Sequence, residues 1–127
     1  MLFRSKLLCD NKNRNEVQKL LIFYFYKLLS NDRLELLKNE MNFYKNEIEV
    51  TSNFLVLTSK YFQKLGKPNG EIIKLYKESL SIANYKEEKM NAIKGLWCYL
   101  STINTVTHKS LFEELITMNI ELANDTD

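Results

Sequence analysis

A chain of 127 residues and 15.1 kDa has room for one domain and little more, and its 45% apolar and 27% charged residues are those of a globular protein, neither disordered nor membrane-embedded. The 18 basic and 16 acidic side chains leave a net charge of +2, far from the strongly basic balance common in nucleic-acid-binding domains. Three glycines and one proline are too few for an all-β fold, which needs turns about every eight to twelve residues. The expected fold is all-α: a compact bundle of about five to six antiparallel helices with short loops, in a single domain over 1–127.

Residues 1–14 form a short N-terminal segment and an Asn-rich linker. Leu2, Phe3, Leu7 and Leu8 make one helical face, with a short strand as the alternative because the run is so short. Only eight residues precede Cys9, fewer than a secretory signal requires, so a lipid anchor is not expected. No apolar run approaches the length that crosses a bilayer, so the expected location is cytoplasmic, with no membrane partner.

The first long helix is expected over 16–29. Val17, Leu20, Leu21, Tyr24 and Leu28 make one stripe at helical spacing, and Ile22, Phe25, Tyr26 and Leu29 make a second. A helix apolar nearly all round is either central in a core or covered by a partner. The core is the plainer reading; the second stripe, Ile22, Phe25, Tyr26 and Leu29, is the candidate face for a partner or for self-association. Ser30-Asn31-Asp32 is expected to close this helix and cap the next, which runs over 32–50 with Leu34, Leu37, Met41, Tyr44 and Ile48 inward.

Thr51-Ser52-Asn53 supplies a further break and cap. The third helix then carries Phe54, Leu57, Tyr61 and Leu65 to Gly66, a natural left-handed stop. The loop Gly66-Lys67-Pro68-Asn69-Gly70 joins it in a hairpin to a fourth helix built on Ile72, Ile73, Tyr76, Leu80 and Ala83. The fifth helix has Met90, Ile93, Trp97 and Leu100 as its main stripe. Gly95 within it costs about 1 kcal/mol relative to Ala, which marks a close helix crossing. Cys98 is expected inside, as a small apolar thiol. The last helix starts near Thr107 or at the capping box Ser110 to Glu113, buries Leu111, Leu115, Met118 and Leu122, and frays into an acidic tail at 124–127.

At Phe54, Leu57, Thr58, Tyr61, Gly66, Ile72, Tyr76, Ser79 and Leu80 the hairpin faintly resembles one tetratricopeptide unit, after one inserted residue and with Thr58 and Ile72 where that family prefers small side chains. The likeness covers about a quarter of the chain, and no second unit flanks it. A solenoid needs about three units, so ordinary helix pairing is the reading adopted.

Chemistry is sparsely provided for. Gly66 and Gly70 lack the spacing of a phosphate loop, and His108 is the single histidine, short of what most zinc sites need. Cys9 and Cys98 stand 89 positions apart in no metal-binding pattern and read as reduced thiols. Glu87-Glu88 and Glu113-Glu114 are the densest carboxylate pairs, but neighbours on a helix point about 100° apart, and Lys86, Lys89 and Lys94 interleave with the first pair as surface partners. No catalytic, cofactor-binding or metal-binding residue is assigned, and neither an enzyme nor a cofactor is expected. The charge is polarised, with Arg4, Lys6, Lys12 and Arg14 at one end and an acidic stretch from 105 to 127 at the other. The expectation is a small helical protein-binding module that acts by occlusion or scaffolding on another protein or on itself, in the manner of an immunity or antitoxin-like inhibitor or an accessory protein of a mobile element. The alternative is a nucleic-acid-associated regulator using its Lys-rich helices.

Overall fold

A computed structural model of the protein is all-α. It describes residues 14–103 and 106–124; the expectations for residues 2–8, for Cys9 and for the tail beyond Asn124 lie outside them. Among the described residues there are six helices and no strand: α1 Arg14–Ser30, α2 Leu34–Phe43, α3 Ser52–Leu65, α4 Asn69–Ile82, α5 Lys86–Leu100 and α6 Lys109–Ala123. None is long and apolar enough to cross a membrane. The chain divides between Val50 and Thr51 into two compact units.

In the first unit α1 packs on α2. The buried residues of α1 are Leu21, Phe25, Leu28 and Leu29, a line that draws on both expected stripes, while Leu20 and Phe23 are exposed. The turn after α1 has the Schellman pattern: the Asp32 amide donates to Leu29 O and the Arg33 amide to Leu28 O, with Asp32 itself left-handed at φ 57°. Asp32 therefore stops α1 and does not cap α2, whose N-cap is Arg33 with no side-chain bond.

Helix α2 ends at Phe43, well before the expected 50. The reason is a tertiary contact that periodicity cannot reveal. The Glu47 and Ile48 amides both donate to Tyr44 O in a last turn, after which the chain leaves the helical path. Gln18 on α1 then donates from Nε2 to Glu47 O at 2.7 Å and accepts from the Glu49 amide at 3.0 Å, holding the segment that follows as a strand partner would. Arg14 Nε reaches Glu49 Oε1 at 2.6 Å, and the buried Tyr44 ring lies 6.4 Å from Phe25.

In the second unit the Thr51 hydroxyl caps α3 by accepting from the Phe54 amide, and Gly66 ends it at φ 73° with a Schellman pair of its own, Gly66 N to Gln63 O and Lys67 N to Phe62 O. Leu55, Val56 and Leu57 are buried in succession, so α3 is covered on most sides, with α4 and α5 against it. Buried Ser52 and Ser79 join α3 to α4: their hydroxyls lie 2.9 Å apart and Ser79 also donates to Ser52 O, which satisfies polar atoms that burial would otherwise penalise.

Helix α5 packs on α3, α4 and α6. Its core side is Ala92, Ile93, Gly95, Leu96, Tyr99 and Leu100. That corrects two expectations, since Cys98 is exposed and Met90 and Trp97 also reach the surface. The inward face is centred on Leu96, and Cys98, two residues further on, points about 200° away around the helix. Glu88 accepts from the Asn84 and Tyr85 amides and closes the free N-terminus of α5, so one member of that carboxylate pair is structural.

Helix α6 starts at Lys109 with His108 as N-cap, two residues ahead of Ser110, so of the two expected starts the one near Thr107 is found and the Ser110 to Glu113 box does not form it. Leu115 is fully buried, and Leu111, Phe112, Met118 and Leu122 pack against the same core.

Candidate functional site

The four residues singled out on α1 are mostly interior. Phe25 and Leu29 are buried and Ile22 and Tyr26 half-buried. Burial disfavours the phenolate of Tyr26 and pushes its pKa up to about 12. Phe25 and Leu29 thus supply core, and Ile22 and Tyr26 stand at its margin.

In addition to the exposed Leu20 and Phe23 of α1, a second set of exposed apolar side chains lies on α5 and α6. Helices α5 and α6 leave between them an open groove of about 610 Å³. Its floor is Ile93 and Leu115, both buried. One wall is Met90 and Trp97 from α5, 45% and 38% exposed; the other is Ile116 and Ile120 from α6, 44% and 55% exposed. The spacings follow from helix geometry: 90, 93, 94 and 97 share one side of α5, as 116, 119 and 120 share one side of α6. Trp97 packs edge-on against Phe112, ring centroids 4.8 Å apart at 88°.

Polar groups at the groove are few. Glu87 and Lys94 stand on the α5 side one heptad apart, with Asn91 between them and Asn119 across from them. Among the described residues neither Glu87 nor Lys94 makes an ion pair. From Glu87 to Trp97 the groove runs about 15 Å, about three turns of a docked helix. Its chemistry is that of a surface that takes an apolar stripe between two charges of opposite sign.

The other candidates are scattered. His108 is half-buried at the start of α6, Cys98 is exposed on α5, and Glu113 and Glu114 are exposed on α6. Among the described residues no three His, Cys, Asp or Glu side chains are grouped to hold a metal ion. Met90 and Trp97, expected in the core stripe, and Ile116 and Ile120, outside the expected one, belong to a second apolar stripe on each of these two helices, which is the sequence signal for the groove. Compared with protein-family models, with curated proteins and with solved structures, the chain matches none.

Proposed function

We propose that the protein is a binding module, not a catalyst, and that it works by occlusion or scaffolding through the α5–α6 groove. One observation carries this reading: four large apolar side chains, Met90, Trp97, Ile116 and Ile120, stand exposed together over a buried floor. Isolated exposed hydrophobics are ordinary, but a contiguous set along two helices marks a surface that is covered in use. A large aromatic such as Trp97 in a surface of this kind is the type of anchor on which binding energy concentrates. An inhibitor that occludes its target and a scaffold that holds two chains both need a face of this kind, with no chemistry beyond it.

The test is photocrosslinking in the native cell. A benzoylphenylalanine at position 120 is expected to yield a protein adduct, and the same group at the exposed position 78 on α4 to yield none. Adducts in equal yield at both positions, adducts to nucleic acid, or none at position 120 would each overturn the reading.

A further inference from the structure

We infer that the groove is covered by a second copy of the same chain, with α5 of each protomer lying antiparallel along α5 of the other and seated between the other's α5 and α6. The inference rests on the reading of the groove as a docking surface and names its occupant.

The argument is one of charge and register. Across a two-fold axis an antiparallel helix pair matches residues whose numbers have a constant sum. Placing the axis between positions 90 and 91 sets position 87 of each chain opposite position 94 of the other. Glu87 then meets Lys94 of the second copy twice, once on each side of the axis, and both charges border the apolar groove. Neither residue makes an ion pair within its own chain among the described residues, so self-pairing breaks no existing bridge. In the same register Met90 lies at the axis, where apolar contact is greatest. Trp97 of each chain falls opposite position 84 of the other, just ahead of its α5, and the exposed Ile116 and Ile120 of the other's α6 flank the docked helix. An apolar helix with an acidic and a basic residue seven apart in the complementary order matches the groove's charges, and α5 run in reverse has that pattern.

Charge reversal tests this directly. Sedimentation velocity over a wide range of concentration is expected to show the wild-type chain dimerising, with the emission of Trp97, the one tryptophan, shifting to the blue as dimer forms. Glu87→Lys alone and Lys94→Glu alone each place like charges in both matched positions and are expected to weaken the dimer tenfold or more. An equimolar mixture of the two variants, and the double variant Glu87→Lys/Lys94→Glu, are each expected to restore it. Restoration in the mixture also shows that both variants fold. A chain that is monomeric at every concentration, or a dimer indifferent to the single reversals, or one not restored by the mixture, overturns the inference. A monomeric chain that still gives an adduct to a different protein at position 120 overturns it while leaving the docking surface in place; the absence of any adduct there removes both.

Discussion

Gly95 of α5 lies against the Tyr76 ring of α4 so closely that a Cβ at this glycine would stand 2.8 Å from Tyr76 Cε1. The ring has nowhere to go: it is 1% exposed, its hydroxyl donates to Gln63 Oε1 at 2.9 Å, and it stacks on Tyr99 with centroids 6.2 Å apart. Two effects of Gly95→Ala oppose each other. Better helix propensity stabilises by about 1 kcal/mol, and overpacking costs about 1 to 3 kcal/mol. With the ring fixed on three sides the steric effect wins, so Gly95→Ala is expected to lower unfolding free energy by up to about 2 kcal/mol in chemical denaturation. Tyr76→Leu removes the obstacle, and in that background Gly95→Ala is expected to cost far less, a coupling that a double-mutant cycle reads.

Gln18 is the second structural prediction. Its amide both donates to Glu47 O and accepts from Glu49 N, replacing the backbone bonds that the end of α2 forgoes. Gln18→Ala is expected to cost about 1 to 3 kcal/mol, as two partly buried backbone groups lose their partner. The neighbouring Arg14–Glu49 pair is half-exposed on both sides, and Arg14→Ala is expected to cost under about 1 kcal/mol. Hydrogen exchange at the Glu49 amide separates the two: it quickens with Gln18→Ala and barely changes with Arg14→Ala.

Tyr26 gives the pH dependence. Its folded pKa, about 12, lies above the ordinary value of 10 because burial disfavours the phenolate. Between these values the native state holds a proton that the unfolded chain has lost, so the contribution is complete below pH 10 and disappears as pH rises through about 12. Two pH units correspond to about 2 to 3 kcal/mol. Tyrosinate absorbance is expected to show a late-ionising component that Tyr26→Phe removes. The variant's stability is expected to fall less steeply than wild type across this range. Tyr99, also shifted upward by burial, contributes a second late component that survives the substitution. An unchanged late component in Tyr26→Phe would assign it elsewhere.

Where local chemistry decides, the sequence was a good guide. Thr51 as cap, Gly66 as left-handed stop and Gly95 as a close crossing all follow from properties of a single residue or its nearest neighbours, and each appears in the structure. Helix type and number followed from spacing in the same way. What spacing does not contain is which of two competing stripes turns inward. On α5 the set at 90, 93, 97 and 100 and the set at 92, 96 and 99 are both regular, and packing against α3, α4 and α6 centres the buried side on the second while keeping Ile93 and Leu100. Met90 and Trp97 were thereby left for the groove. The early end of α2 was illegible for a similar reason, since Gln18 acts from about thirty residues away in sequence.

The division between core and groove within α6 can be tested at adjacent positions. Leu115 is fully buried on the floor, whereas Ile116 and Ile120 point outward. Leu115→Ala deletes side-chain atoms from a packed interior and is expected to cost about 2 to 5 kcal/mol. Ile116→Lys and Ile120→Lys put an ammonium where water already reaches, and a lysine on an exposed helical face is tolerated within about 0.5 kcal/mol. Helical content and denaturation midpoint are therefore expected to fall in the first variant and to hold in the other two. A groove used for docking adds a second, opposite ordering: binding of an apolar fluorescent dye at the α5–α6 surface is expected to drop with Ile116→Lys and Ile120→Lys, despite their intact fold. If both lysine variants unfolded as readily as Leu115→Ala, these isoleucines would be core residues and the groove would not exist as an open surface.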